Sequence, residues 1–540
     1  MKTFKIISLF AAMVMVLPGC TLFQEEGLGL VPENALSADN VSVFVIDHTD
    51  EDQMKKVKSL IEKFPLEELK KMNDEDPGEK EELILDIVQK KWKLVMEMDF
   101  GTFGANTNGV IVAGQFEETE KVEELIEIFA EEIGAEKDEQ DGVKYWSASS
   151  EMAYIAQYDD VFVFGILKEE LDSAIDNLKN GTGMEELDEG GLGYAVFNVD
   201  AFSDYMGNYE IEGSFIARMY ADDEGIKLES EVDISDTEYL VEVSGDEAFA
   251  AVQIVESVPA DGIMAYAEEP NFGSFVQGLI NGINSGNLQP GTIMSYEEAV
   301  EDFAIVTGLT TEEVDKLAYL PFAISVHNKG QIYPAISLYL KMDEGTESIG
   351  KKLTMAIDQY LELLIVEFDS AVGENGSGAL KKDIKVVQGG GVNRLYLDWS
   401  ALPQEAIDGY NVIPGFDVST VDFEIYYGVT GSDVLVFALY PGFDEEFGKD
   451  SLADDEVFKA ALDRVGGKYE VNVSYFDLNP MMNMVDKYFE VLKMNGVMST
   501  DDFEIYEIVK NFVNTVDYMV GASWLEGDIL KSEDYIRLGE

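Results

Sequence analysis

The sequence predicts an α+β fold made of two related copies, each an antiparallel sheet with helices packed on it. Three observations lead to this prediction. Short strand patterns occur singly and in hairpins, which favours antiparallel pairing. Amphipathic helix patterns are interleaved with the strands, and we expect them to cover one face of each sheet. The order of elements in the first half of the chain returns in the second half, which indicates two copies. A chain of 540 residues is also too long for one compact core.

The first copy is placed at residues 36–243. Runs of β-branched and aromatic residues predict strands at 41–46, 109–116, 143–146, 152–157, 161–166 and 192–199, and a hairpin at 214–220 and 226–234. Apolar residues three and four positions apart predict helices at 52–63, 79–91, 118–133, 169–179 and 201–206. The strands and helices therefore alternate through this copy.

The second copy is placed at residues 258–540, after a linker at 244–257. Three segments repeat the first copy: Pro259-Ala260-Asp261 repeats the approach to the first strand at Pro32, 433–437 repeats 160–164, and 474–479 repeats 195–200. A period this long indicates a domain duplication, not a solenoid. Insertions are expected in the loop at 402–417 and in an extra helix at 489–512.

Helix signals are strong in the second copy. Capping boxes open two helices, at Ser295-x-x-Glu298 and at Thr310-x-x-Glu313. A long helix is predicted at 347–368 after a strand at 335–342, and a closing hairpin at 516–524 and 529–536. The buried face of the long helix is predicted to consist of Leu353, Ile357, Tyr360, Leu361, Leu364 and Phe368.

The N-terminus has the pattern of an export signal. Lys2 and Lys5 precede an apolar run at 6–17, and small Gly19 precedes Cys20. This resembles the bacterial lipoprotein signal, in which such a cysteine is lipidated before cleavage, although Pro18 departs from the usual residue. The resemblance implies a signal peptide at 1–19, a lipidated Cys20 with a tether at 20–35, and attachment to the extracytoplasmic face of the cell membrane or outer membrane. An ordinary cleaved signal with an incidental Cys20 is the alternative.

The body also resembles an uncharacterised bacterial envelope family built on a duplicated domain of unknown function. The resemblance is carried by Pro259-Ala260-Asp261 before a strand and by the acid-aromatic strand start Asp159-Asp160-Val161-Phe162. It extends from Pro32 to the C-terminus. It implies an architecture and no known activity.

Charge limits the partners of the chain. The sequence has 37 Lys and Arg against 107 Asp and Glu, a formal net charge of −70. Such a field repels nucleic acid and anionic lipid headgroups, so we expect no nucleic-acid partner and only non-specific cation binding. Cys20 is the single cysteine, which leaves no internal disulfide.

Catalytic patterns are weak throughout. His48 and His327 fall in different copies, which disfavours a catalytic pair or a histidine zinc site. Ser348-x-x-Lys351 matches a penicillin-interacting pattern without its partner motifs, so Ser348 is interpreted as a helix cap. Gly376-Ser377-Gly378 is interpreted as a linker and Gly389-Gly390-Gly391 as a turn. We therefore predict no catalytic residue, no cofactor site and no cofactor.

Acidic and aromatic clusters leave two alternatives open. The segments 47–52 and 73–78 have oxygen donors for calcium, but not the spacing of a calcium loop, so no metal site is predicted. Core packing is the favoured interpretation of four aromatic residues, over the lining of a groove: Tyr145, Trp146, Tyr154 and Tyr158.

The function predicted from these observations is that of a membrane-anchored, extracytoplasmic, non-catalytic binding or assembly module with an envelope protein as partner. Two alternatives stay open. A carrier or sensor of an apolar ligand would need a cavity between helix layer and sheet. A hydrolase with an unrecognised site would need a cleft with converging polar groups.

Overall fold

The fold is known from a computed structural model. It describes residues 31–539 except 37–41, 66–78, 89, 99–109, 149–153, 185–190, 199–213, 234–253, 271, 274–275, 277–279, 281–294, 332, 344, 373–377, 411–416, 467–471, 495, 497–499 and 528. The chain forms two compact units. Unit 1 comprises Met1–Leu240 and Leu525–Glu540, and unit 2 comprises Val241–Trp524.

The described part of unit 1 contains ten strands from the first part of the chain and one from its end. They are β1 (Ser42–Asp47), β2 (Trp92–Met98), β3 (Val110–Phe116), β4 (Ala135–Gln140), β5 (Val143–Ala148), β6 (Tyr154–Tyr158), β7 (Val161–Gly165), β8 (Gly193–Asn198), β9 (Ser214–Ala221), β10 (Gly225–Asp233) and β20 (Ile529–Leu538). Its described α-helices are α1 (Glu51–Ile61), α2 (Glu79–Val88), α3 (Thr119–Ile133) and α4 (Lys168–Asn180).

The sheet of unit 1 is antiparallel at every described pair. Its strand order is β4-β5-β6-β7-β3-β2-β1-β8-β9-β10-β20. The closing strand of the chain belongs to this unit because β20 pairs with β10 along its length, from Gly225 opposite Arg537 to Asp233 opposite Ile529.

Helices pack on both faces of the unit 1 sheet, so the expectation of one covered face is wrong. Val161 and Val163 of β7 are buried in the core beneath α4, whereas Phe162 between them is buried in the core beneath α2 and α3. Successive side chains of a strand point to opposite faces. A strand that is apolar at every position, as Val161-Phe-Val-Phe is, therefore requires cover on both sides.

Nine strands of unit 2 are described. They are β11 (Ile263–Glu269), β12 (Phe322–His327), β13 (Ala335–Lys341), β14 (Leu380–Val387), β15 (Gly390–Leu397), β16 (Glu424–Val429), β17 (Val434–Leu439), β18 (Asn472–Asp477) and β19 (Val516–Glu526). Its described α-helices are α5 (Tyr296–Thr307), α6 (Thr311–Ala318), α7 (Glu347–Val372), α8 (Gln404–Tyr410), α9 (Phe443–Glu446), α10 (Glu456–Arg464), α11 (Leu478–Met494) and α12 (Thr500–Val513). Both predicted capping boxes are present, at Ser295 and at Thr310.

The nine strands of unit 2 have the same order as nine strands of unit 1. The sheet runs β14-β15-β16-β17-β13-β12-β11-β18-β19, again with antiparallel pairs. Each strand of this series stands ten places later in the chain than its counterpart in unit 1. The α+β class is thus confirmed, while the duplication itself stays a prediction that the shared order supports.

Candidate interaction surface

The two histidines lie in different units, each buried. His48 follows β1 and stacks on Trp92, with ring centroids 3.8 Å apart. His327 ends β12. Burial lowers the pKa of each imidazole to about 4, since the charged form loses its hydration. Both rings are therefore neutral at pH 7.

His327 belongs to a hydrogen-bonded chain inside unit 2. Its Nε2 lies 2.9 Å from Ser325 Oγ, and Ser325 Oγ lies 3.0 Å from Tyr339 Oη. Its Nδ1 lies 3.2 Å from the backbone oxygen of Asp261, a carbonyl that accepts the ring proton. A serine beside a histidine is also the arrangement of nucleophile and base. Ser325, His327 and Tyr339 are each 0% exposed, so the chain pairs buried polar groups and offers no access to a substrate.

The remaining sequence motifs have structural roles. The interpretation of Ser348 as a helix cap is wrong, because α7 begins at Glu347 and Ser348 lies inside its first turn; Lys351 Nζ is 2.5 Å from Glu347. Asp47 accepts the amide of Thr49 at 2.7 Å, and Asp50 caps α1 through the amides of Asp52 and Gln53. The segments 73–78 and 376–377 lie outside the described residues. No group of three or more His, Cys, Asp and Glu in the described part of the chain is arranged to hold a metal.

Two other predictions concern loops and aromatic packing. Gln388 and Gly389 have φ values of 49° and 89°, so the glycine-rich segment makes the tight turn of the β14–β15 hairpin. Trp146 is buried in the core beneath α3, and Tyr145, Tyr154 and Tyr158 pack against the core beneath α4. The interpretation of these aromatics as core residues is confirmed.

The outer side of α7 exposes several large apolar side chains. We call it the α7 row, and it consists of Met355, Tyr360, Leu363 and Val366. These side chains are 63%, 63%, 65% and 64% exposed. Large apolar side chains in a row are uncommon on the surface of a protein that works alone, and they mark sites of interaction.

The α7 row is exposed because α7 is apolar on more than one side. Its inner side places Leu361 in a small core with Leu395 of β15 and Tyr427 of β16, flanked by Ile357 and Ile365. The prediction that Tyr360 and Leu364 belong to this buried face is wrong, since they are 63% and 39% exposed. The sequence signal for the surface was present in Met355, Leu363 and Val366, which lie off the predicted face.

The neighbouring edge strand extends this apolar surface. Within the described strands, β14 pairs with β15 alone. Ile384 and Val386 of β14 are 70% and 74% exposed. They alternate along β14 with the same period as Lys382, whose Nζ contacts Asp358 at 2.8 Å and Glu362 at 3.1 Å on α7. Ile384 and Val386 therefore lie on the side of the sheet that α7 covers.

Charged residues lie near both ends of the α7 row. Lys351 and Lys352 lie near the start of α7, and Glu367 and Asp369 near its end. The lysines form exposed ion pairs, Lys351 with Glu347 and Lys352 with Glu313, each at 2.5 Å. The hydrogen bond to Asp358 and the contacts with Glu362 raise the pKa of Lys382, which keeps it charged at the side of the helix.

Cys20, the predicted site of lipidation, lies outside the described residues. Among the helices that the structure describes, none combines the length and the apolar character needed to cross a membrane.

Comparison with known proteins gives no family. No protein-family model matches the chain, and no curated protein matches it. One solved structure, crystal form I of TP0453, is 11% identical and covers 40% of this chain and 90% of that chain, with a TM-score of 0.26. A TM-score this low does not establish a common fold, and it carries no argument about function.

Proposed function

We propose that this chain is a lipid-anchored extracytoplasmic protein whose unit 2 binds an envelope protein without catalysis. The α7 row is the observation that carries the proposal. Four apolar side chains, each about two-thirds exposed, lie along one helix of a chain with a net charge of −70. Burying them against a partner releases water from apolar surface, which favours binding by about 25 cal/mol for each Å² covered.

Two further features support a binding role. The Ser325–His327 pair, which has the residue types of a catalytic dyad, is fully buried. The α7 row itself has polar neighbours at both ends, Lys351 and Lys352 before it and Glu367 and Asp369 after it. An apolar centre with a charged rim is the usual composition of a protein–protein contact.

The test is photo-cross-linking in the host cell with the full, anchored chain. A photoreactive residue at position 363 on α7 is compared with one at position 124, an exposed position on α3 of unit 1. We expect irradiation to give a discrete adduct from position 363 whose partner is identified by mass spectrometry, and little from position 124.

Controls separate the anchor from the surface. Because position 363 carries the photoreactive residue, the apolar surface is altered at a different position. Val366→Glu in the same chain is expected to reduce the adduct several-fold without changing the amount of protein. Cys20→Ser is expected to move the chain out of the membrane fraction. The absence of any protein adduct from position 363 would overturn the proposal, and retention of the Cys20→Ser chain in the membrane would overturn the anchor.

A further inference from the structure

We propose that the outer edge of β14 pairs with β14 of a second copy of this chain, antiparallel and about a twofold axis at Ile384. The inference goes beyond the proposed function, because it concerns the edge of the unit 2 sheet and assigns a different partner to it. A twofold contact joins the same surface of both copies, so the strand must complement itself when it is reversed. The backbone, the charges and the apolar side chains of β14 each meet this requirement at Ile384.

The backbone of β14 presents alternate residues to its outer edge. β14 pairs with β15 along its whole length, and in the same register the Asp398 amide donates to the Ala379 oxygen at 2.8 Å. Hydrogen-bonded and non-hydrogen-bonded pairs alternate along an antiparallel ladder. The odd-numbered residues of β14 therefore bond to β15, and the amides and carbonyls of residues 382, 384 and 386 point outward. A second β14 centred on Ile384 meets all three, with 384 opposite 384 and 382 opposite 386.

The charges of β14 select this register over its neighbours. With Ile384 opposite itself, Asp383 of each copy lies opposite Lys385 of the other. These residues form non-hydrogen-bonded pairs, whose Cα atoms are about 4.5 Å apart, and opposite charges at such positions stabilise the pairing. A register centred on Asp383 or on Lys385 instead places two like charges directly opposite each other, which is unfavourable.

Both members of this ion pair are able to form it. The Nζ of Lys385 approaches Asp383 and Asp444 at 3.7 Å and 3.9 Å, which is longer than a hydrogen bond. The hydrogen bond from Arg394, with Nη2 2.7 Å from Oδ2, lowers the pKa of Asp383 and keeps it ionised. A carboxylate has about four acceptor sites, so Asp383 can accept a second donor.

The face of β14 that lies toward α7 supplies apolar surface at the same centre. Ile384 and Val386 are 70% and 74% exposed there. In the proposed register Ile384 lies opposite Ile384 of the second copy. Val386 lies opposite Lys382, whose methylene chain can pack beside it.

α7 adds a further apolar side chain to this surface. The Gly378 amide donates to Asp369 at 2.9 Å and Lys382 contacts Glu362 at 3.1 Å, so β14 runs toward the start of α7. Met355 lies seven residues before Glu362, about two turns, and is therefore on the same side of α7. This places Met355, which is 63% exposed, near the two exposed apolar residues of β14, and pairing of the strands covers all three.

The acidity of the whole chain does not exclude the contact. Charged residues on an edge strand usually oppose pairing with another chain. β14, however, has three lysines and one aspartate, so it is a basic segment in a chain with a net charge of −70. Repulsion between the acidic remainders of the two copies is screened beyond about 8 Å at physiological ionic strength.

Engineered cysteines in the full chain test the register. Under mild oxidation of intact cells, Ile384→Cys is expected to give a disulfide-linked dimer, because the Cα atoms of a hydrogen-bonded pair lie about 5.5 Å apart. Lys382→Cys and Val386→Cys are expected to cross-link several-fold better when co-expressed than when either is alone. The wild type and Glu139→Cys, an exposed position on the edge strand β4 of unit 1, give the background.

Proline at the centre tests the pairing of the backbones. The amide of residue 384 points away from β15, so Ile384→Pro keeps the ladder of the β14–β15 hairpin and removes a donor that the second copy needs. It is expected to reduce the cross-link between the Lys382→Cys and Val386→Cys chains to background. Ile384→Val, which keeps the amide, is expected to leave this cross-link unchanged. An undiminished cross-link in the proline variant overturns strand pairing.

Charge reversal in the Ile384→Cys background tests the ion pairs. Lys385→Glu places carboxylates opposite each other and Asp383→Lys places ammonium groups opposite each other, so each variant alone is expected to lose most of the dimer. Co-expression of the two is expected to restore it, because both pairs across the axis then have opposite charges. Damage within one variant does not produce such a recovery. A lack of recovery, with both chains present in normal amounts, overturns the register.

The outcomes separate this inference from the proposed function. An Ile384→Cys dimer no stronger than that of Glu139→Cys overturns the pairing, whereas the photo-adduct from position 363 tests the binding role independently. Cross-linking of Lys382→Cys and Val386→Cys that is no better together than alone overturns the position of the axis.

Discussion

The helices α3 and α7 hold the same place in the two units and differ on their outer sides. Each follows the third strand of its series and precedes the edge strand, and each packs on the sheet through buried leucines, Leu125 in α3 and Leu361 in α7. Where the exposure of α3 is described, at 119–131, its exposed positions are glutamates 120, 124, 127 and 131, whereas α7 exposes the apolar row defined above. The inner side of such a helix is constrained by the sheet, and its outer side is free to acquire a function.

The edge strands next to these helices show the same contrast. β4 has the sequence Ala-Glu-Lys-Asp-Glu-Gln, and five of its six residues are exposed. β14 also carries charged residues, but in addition it exposes Ile384 and Val386. Charged residues on an edge strand prevent pairing with other chains, and exposed β-branched residues do not. The edge of unit 1 thus carries only charged and polar exposed residues, whereas the edge of unit 2 combines charged residues with two exposed β-branched residues.

A shared feature shows how closely the two helix–edge contacts correspond. In unit 1, Lys137 of β4 contacts Glu123 and Glu127 of α3, at 3.0 Å and 2.5 Å. In unit 2, Lys382 of β14 contacts Asp358 and Glu362 of α7, at 2.8 Å and 3.1 Å. In both units one edge-strand lysine is held by two carboxylates four positions apart, which is one turn of helix.

The largest predicted effect separates the inner from the outer side of α7. Leu361→Ala removes a buried side chain and is expected to lower the free energy of unfolding by about 3 kcal/mol. Leu125→Ala on α3 is expected to cost about the same. Leu363→Ala, two residues from Leu361, is expected to cost less than about 0.5 kcal/mol. Chemical denaturation followed by circular dichroism measures all three.

The result that contradicts this comparison is a loss at Leu363 equal to that at Leu361. It would show that the outer side of α7 is covered within the chain itself, and it would remove the basis of the interaction surface. Equal losses at Leu125 and Leu361, in contrast, would strengthen the correspondence of the two helices.

A second prediction concerns the buried carboxyl of unit 2. Glu268 is 0% exposed, and its Oε1 accepts the amide of Ile254 at 2.9 Å. Burial raises the pKa of Glu268 to about 7. The folded state thus favours the protonated acid, so the stability from this group is full below pH 4.5 and is lost as pH rises through 7. Glu268→Gln is expected to remove this loss, up to about 3 kcal/mol at pH 8.

Unit 1 also has a buried carboxyl, which is paired with a lysine. Glu33 is also 0% exposed, but its Oε1 lies 2.6 Å from Nζ of Lys93, which is itself buried. Glu33→Gln leaves that lysine with Asp47 at 3.5 Å and is expected to destabilise the fold by about 2 to 3 kcal/mol. Urea melts at pH 5 and pH 8 distinguish the two carboxyls. A variant Glu268→Gln that is less stable than the wild type at pH 8 would show that its carboxylate is well solvated by its hydrogen bonds.

The sequence predicted the class of the fold and the elements whose pattern is local. β1 and β3 contain short runs of β-branched or aromatic residues, the turn at 222–225 marks the hairpin of β9 and β10, and the capping boxes at Ser295 and Thr310 each span four residues. These features are stabilised by residues close in the chain, so a short window contains their cause.

Five strands were not predicted, namely β2, β4, β14, β15 and β16, and for three of them the reason is physical. β4 and β14 are edge strands rich in charge, and β15 begins with Gly390-Gly391, so their extended form comes from pairing with a neighbour and not from their own composition. β2 and β16 contain β-branched or aromatic residues of their own, such as Trp92 and Val95 in β2 and Tyr426 and Tyr427 in β16, so composition does not explain why they were missed. The α7 row was not predicted for a similar reason: α7 is apolar on more than one side, and the sheet beneath it decides which of those sides is buried.

The smallest predicted effect compares the two lysine contacts directly. Lys137→Met and Lys382→Met each remove a partly exposed lysine from two carboxylates, and each is expected to cost roughly 0.5 kcal/mol. The contacts raise the pKa of both lysines, chiefly through the hydrogen bonds to Glu127 and to Asp358. Both losses are expected to disappear in about 1 M salt, where screening extends to about 3 Å. Paired denaturation curves at low and high salt measure this. A large, salt-independent loss of stability in Lys382→Met alone would mean that the methylene chain of Lys382 packs over Ile384 and Val386. The two lysine contacts would then have the same charges, but only the contact in unit 2 would also bury apolar surface.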